Sequence, residues 1–237
     1  MINKKIKRAL ADMFDAPPPV NKTSFLKQHR RRELGRWELV RLQAKYIRWW
    51  VWVLSLVLSA FIFATNVWAV EPAPWYVAAL TPFLALLVIT ENGRAQLHQM
   101  EELELACRIS RQSVILARMV VLGLFHMALF GLLTLPLTIG GAVGIAQAGI
   151  YLLTPYLLTT ALGMDLTRRI RGWEGLLACG ATTAAISILG PFAAKIRPAL
   201  YQPENLIWWG ATLAAAIIAT TAEFSLNIKN MRELQWT

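Results

Sequence analysis

Between Trp49 and Ser225 the chain is a series of long runs of Leu, Ala, Ile, Val, Phe, Trp and Thr, with its charged residues gathered into a few short intervals. A run of about 18 or more residues with few charges can cross the hydrocarbon core of a bilayer as one helix. Such runs fill most of this 237-residue chain. The pattern predicts an all-α integral membrane protein with six transmembrane helices. The expected spans are residues 49–70, 75–90, 114–135, 144–163, 174–192 and 206–225. Short turns join the first pair at 71–74 and the second pair at 136–141, where Pro136 is expected to end the helix. The third pair is joined by a longer external stretch, 193–205, with Pro198 and Pro203, sized for a small cap or a partial re-entry.

Charge supplies an orientation. Hydrophobic residues make up 56% of the chain, yet its formal net charge is +10. With a cytosolic N-terminus and one crossing per run, 22 of the 24 Lys and Arg residues fall on one side, and only Lys195 and Arg197 fall on the other. That asymmetry follows the positive-inside rule and predicts both termini in the cytosol (N-in, C-in) and a multi-pass place in the cell membrane. A nucleic-acid-binding surface would not need this alternation with depth, so nucleic acid is not expected as a partner. The first apolar run starts too far into the chain for a signal peptide, and no small-residue cleavage site follows it. Cys107 and Cys179 make neither a disulfide framework nor a Cys-based metal site.

Three regions are expected: 1–48, a basic cytosolic or interfacial N-terminal region; 49–226, the transmembrane domain; and 227–237, a cytosolic tail. Residues 2–14 place Ile2, Ile6, Leu10, Met13 and Phe14 at helical spacing among four basic residues, which suits either a short interfacial helix attracted to anionic head groups or a solvated, partly disordered tail. Pro17, Pro18 and Pro19 interrupt it. Residues 23–46 read as an amphipathic helix along the cytosolic face. Trp37, Trp49, Trp50 and Trp52 are the expected interfacial anchors, since indole rings favour the head-group level.

Enzymatic readings fail on the residues they require. No glycine-rich loop ends in Gly-Lys-Ser or Gly-Lys-Thr, no Gly-x-Ser-x-Gly elbow occurs, and His29, His98 and His126 are too widely separated for a zinc pair. No catalytic, cofactor-binding or metal-ligating residue is assigned, and the chain is not expected to be an enzyme by itself. His126, alone inside the third span, is read as a hydrogen-bonding residue between helices. Glu91, Arg118, Asp165, Glu174 and Glu223 all lie near span ends, where snorkelling or local pairing accounts for them better than an ion pathway. A chain of this kind carries no visible energy source of its own.

One cytosolic interval has a distinct pattern. After Glu91, Gly93 and Arg94, the segment through Leu97, Met100, Glu101, Glu102, Leu103, Glu104 and Arg108 to Arg111 is helical in spacing and acidic at its centre. Leu97, Met100 and Leu103 share a face, flanked by the three glutamates. An acidic patch in a basic surface suits a partner with a basic groove.

Glu91, Gly93, the stretch Met100 to Leu105, Ser110 to Ser113 and the Ile115 to Arg118 entry to the third span resemble, in this order, the membrane subunits of ABC-2-type transporters. The resemblance implies that residues 94–111 form a coupling helix fitted into a cleft on a cytosolic ABC-type ATPase. It also implies that the segment from Arg36 to Tyr46 is a connecting helix, and that residues 193–205 stand where the family has an external re-entrant element. The family's Gly-Thr-Leu-Glu type of core is replaced here by Gln-Met-Glu-Glu-Leu-Glu. The expected ATPase-coupling residues are Glu91, Leu97, Met100, Glu101, Glu102, Leu103, Glu104, Arg108 and Arg111. Arg168, Arg169, Arg171 and Glu174 form a second expected cytosolic contact. ATP and magnesium are then expected on the ATPase and not on this chain. A second copy or a related permease would complete the substrate path. The expected function is the permease subunit of an ATP-driven exporter of hydrophobic or peptide-like substrate. The rival is a non-transporting membrane protein, for self-protection against membrane-active peptides or for signalling.

Overall fold

The computed structural model describes residues 36–68, 74–94, 111–139, 143–170 and 172–233, and among these every regular element is helical. The helices are α1 (Arg36–Tyr46), α2 (Trp49–Val67), α3 (Pro74–Asn92), α4 (Arg111–Ile139), α5 (Ile145–Arg169), α6 (Trp173–Ile196) and α7 (Leu206–Glu233). Two 3-10 turns, Pro198–Tyr201 and Pro203–Asn205, connect α6 to α7. All belong to one compact unit, Arg36–Thr237.

Five helices, α3 to α7, are long and apolar enough to cross a membrane; α1 and α2 pass the same test only as a pair, bent by 81° at the break between them. The described chain therefore carries five helices, or six with the bent pair counted as one, that could span a membrane. The bend puts α1 nearly at right angles to α2, as expected of a polar helix whose successor is apolar throughout.

In hydrocarbon every backbone polar group must find an internal partner, and side-chain hydroxyls must do the same. The threonine-rich spans meet this condition by back-bonding. Thr154 donates to the Ile150 carbonyl at 2.7 Å, Thr160 to Tyr156 at 2.9 Å, Thr183 to Cys179 at 2.7 Å and Thr220 to Ala216 at 2.7 Å. Prolines inside α3 to α6 are tolerated for related reasons. Pro82 has no N–H for the Ala78 carbonyl, and the Thr81 hydroxyl takes that acceptor at 2.9 Å. Pro136 does not end the fourth helix as expected; α4 continues through it to Ile139. A proline removes one bond and bends a helix, whereas ending the helix in lipid, where no water can replace its bonds, would strand several backbone groups. The other boundaries also lengthen: α5 runs past residue 163 to Arg169, α6 past 192 to Ile196, and α7 past 225 to Glu233. The connection expected over 193–205 thus shrinks to the two 3-10 turns.

The helices divide into a packed centre and an open side. In α3 and α5, 56% and 50% of the apolar window is buried, against 11% in α6 and 6% in α7. Ile62, Leu84, Phe130, Leu133, Leu152 and Tyr156 knit α2, α3, α4 and α5 into the main core. The α3 to α5 crossing is close because Gly163 lies against Ile89: a Cβ at that position would overlap the Ile89 side chain. Small residues at such crossings let backbones approach, which is how helices associate where lipid removes the hydrophobic drive. The Cys179 thiol donates to the Gly163 carbonyl at 3.6 Å and brings α6 to the same place. Gly172, at φ 78°, makes the sharp turn from α5 into α6, a conformation that side chains disfavour.

Candidate functional site

The contacts sort the bundle into two ends and a middle. At the end where α2 and α4 begin and α3 and α5 finish, the charged groups converge. Arg118, buried near the start of α4, donates from Nε to the Gln43 side-chain oxygen at 3.2 Å, tying α1 to the bundle. Ile47, Val51, Val88 and Leu122 pack beside this link. Glu91, in the last turn of α3, is only 3% exposed and accepts from Arg94 at 3.0 Å. Arg168 bridges Asp165 at 2.6 Å and Glu223 at 3.1 Å, so α5 and α7 are joined at the same end. Arg169 clasps Asp165 at 2.8 Å through an ion pair that is largely exposed on its arginine side.

Mid-bundle, His126 is fully buried and satisfied at both ring nitrogens. Nε2 lies 3.1 Å from the Ser55 hydroxyl of α2 and Nδ1 lies 3.1 Å from the Tyr156 hydroxyl of α5. The imidazole therefore links three helices, as its reading as a hydrogen-bonding residue between helices expects. At the far end, Trp75, Tyr151, Tyr201 and Trp209 pack ring against ring with centroid separations of 5.0 to 5.8 Å. The Trp209 indole N–H donates to the Leu200 carbonyl at 2.8 Å and Gln147 donates to the Tyr201 carbonyl at 3.4 Å, locking the 3-10 turns over the bundle. Burial, with Tyr151 alongside, pushes the Tyr201 phenol up to about 12.

The sequence-predicted residues distribute unevenly over this frame. Leu97, Met100, Glu101, Glu102, Leu103, Glu104 and Arg108, with Arg171, lie outside the described residues. Arg111 begins α4. Glu91, expected to snorkel or to pair locally near its span end, pairs with Arg94 and is buried in the last turn of α3. Arg118 likewise turns into the protein and does not snorkel, since Gln43 supplies a buried acceptor. Arg168 and Arg169 are engaged by Asp165 and Glu223, while Glu174 stands exposed at the start of α6. Of the aromatic anchors, Trp37, Trp49 and Trp50 are well exposed, and Trp49 stacks on Trp50 at a centroid distance of 4.1 Å. Trp52 packs edge-on against Phe125 at 4.7 Å and so serves the α2 to α4 contact. The sequence reading missed Gln43, Ser55 and Tyr156 as partners. Nothing local marks them, since each becomes a partner only when two helices meet. Among the described residues no group of His, Cys, Asp and Glu is placed to hold a metal ion.

The fold and the sorting of its charges have the build of a multi-pass α-helical membrane protein whose polar contacts concentrate at one end. Comparison with models of protein families, with characterised proteins and with solved structures gave no match.

Proposed function

We propose that the chain is the permease subunit of an ATP-driven exporter, energised by a separate ABC-type ATPase and completed by a second copy or a related subunit. The observation that carries this reading is the acidic, helically spaced segment between Arg94 and Arg111, which leaves and re-enters the bundle at its charged end. With the N-terminus cytosolic, that end faces the ATPase, and the Glu91–Arg94 pair and buried Arg118 stand at the two roots of the segment. Rigid attachment at both roots suits an element that must pass a push from an ATPase into α3 and α4. The α1 helix, turned 81° from α2, supports the same reading as a connecting helix on the cytosolic face. The open sides of α6 and α7 suit a subunit that shares its substrate path with a neighbour. Hydrophobic or peptide-like compounds are the substrates this apolar lining would accept.

Affinity purification of the tagged chain from its native membrane tests the proposal. An ATPase is expected to accompany it, and reversing Glu101, Glu102 and Glu104 to Lys is expected to release that ATPase and abolish export. If no ATPase co-purifies and the triple variant keeps full activity, a non-transporting protein, for self-protection or signalling, becomes the better account.

A further inference from the structure

Beside the Glu91–Arg94 pair lies a cleft of about 540 Å³ between the start of α2, the end of α3 and the start of α6. Its charged groups are Arg48, Glu91 and Arg94. The Glu91 charge is taken up by Arg94, whose guanidinium has further N–H groups to offer. Arg48 is exposed and has no ion-pair or hydrogen-bond partner among the described residues. Among the described residues the cleft therefore holds one positive charge more than Glu91 offsets. Helix α2 begins at the next residue without a side-chain cap, so the positive end of its dipole adds to the same field.

The remaining walls are not those of a site for a free water-soluble anion. Trp50 and Trp173, 60% and 65% exposed, line the cleft together with Leu54 and Leu87. From Leu54 the apolar surface continues along one exposed face of α2 through Val57 and Phe61, at helical spacings of three and four. A ligand that fits has an anionic head, an amphipathic neck at indole depth and a long apolar tail. We infer that this cleft is a binding site for one anionic phospholipid, its phosphate held by Arg48 and Arg94 and one acyl chain lying along Leu54, Val57 and Phe61. The site stands independently of the exporter reading, since it needs neither an ATPase nor a substrate.

Purified protein, reconstituted in nanodiscs that mix phosphatidylglycerol with an excess of phosphatidylcholine, would be released into detergent and its retained lipid measured by native mass spectrometry. Phosphatidylglycerol is expected to be retained preferentially. Arg48→Ala is expected to lower that retention about fivefold, the effect of one basic residue at a membrane surface, and Arg48→Glu further. Arg197→Ala, at the other end, is the control and is expected to change nothing. Leu54→Asn leaves the charge of the cleft unchanged and is expected to weaken lipid retention through the tail alone. Equal retention of both lipids, or loss that Arg48 variants do not affect, overturns the inference. Displacement of the bound lipid by glycerol phosphate as readily as by phosphatidylglycerol also overturns it, because the tail would then contribute nothing. A second copy of the chain in place of lipid, seen as a dimer that Arg48→Glu dissociates, refutes it as well.

Discussion

Replacing His126 by Leu removes both bonds that the imidazole makes between helices, but the two partners left behind do not fare alike. Ser55 sits within α2 and can turn its hydroxyl back to a carbonyl one turn earlier, as the threonines of the other spans do. Tyr156 is 4% exposed and its hydroxyl stands at the end of a rigid ring, with no such fallback. Interhelical hydrogen bonds in membranes contribute about 0.6 kcal/mol each and at most about 1.7, and both bonds here, at 3.1 Å, belong to the longer ones. Their loss amounts to about 1 kcal/mol. The stranded Tyr156 hydroxyl adds about 1–3 kcal/mol more, giving a total of about 2–4 kcal/mol. Tyr156→Phe in the His126→Leu background removes that stranded group and is expected to restore about 1–3 kcal/mol, whereas in the wild-type background it leaves the buried His126 Nδ1 without its partner and destabilises by about 1–3 kcal/mol. The change of sign is the test. Reversible unfolding in mixed micelles, for the wild type, the two single variants and the double variant, completes a double-mutant cycle. If Tyr156→Phe has the same effect in both backgrounds, the two side chains are not coupled and the linking role assigned to His126 is wrong.

Three further outcomes can be measured in the same way. Gly163→Val forces a side chain into Ile89 and is expected to cost about 1–3 kcal/mol, with Ile89→Ala recovering part of the loss by making room. Thr81→Ala strands the Ala78 carbonyl that Pro82 cannot serve and should lower stability by about 1–2 kcal/mol; adding Pro82→Ala, which restores a backbone N–H, is expected to reverse most of that effect. The raised value of the Tyr201 phenol means that the folded state favours the protonated form. Its contribution to stability is thus complete below pH 10, the ordinary tyrosine value, and lost as pH rises toward about 12. Tyr201→Phe should flatten the alkaline arm of the stability profile, and an unchanged arm would contradict the burial of this ring.

Sequence alone decided where the apolar runs lie, that the basic residues gather in a few intervals outside them, and that Trp49 and Trp50 stand at a helix entrance. These properties are local: a run is apolar or it is not, whatever packs beside it. It also placed His126 correctly as a residue that bonds between helices, because a lone imidazole in an apolar run has few other uses. Tertiary structure alone decided which spans form the centre. Leucine and alanine suit a lipid-facing surface as well as a protein-facing one, so a span's composition does not reveal that half of α3 is buried while α7 is almost bare. The same ambiguity hid the burial of Glu91 and Arg118, which near a span end look like groups reaching for water until Arg94 and Gln43 are seen beside them. Helix ends were misjudged for a related reason. Pro136 ends helices in water, where a freed carbonyl can be solvated, but in an apolar bundle the chain keeps its remaining backbone bonds and runs on to Ile139. The Arg48 cleft is the clearest case: Arg48, Arg94 and Trp173 are far apart in sequence, and only their meeting leaves one arginine, among the described residues, without a counter-charge beside an apolar wall.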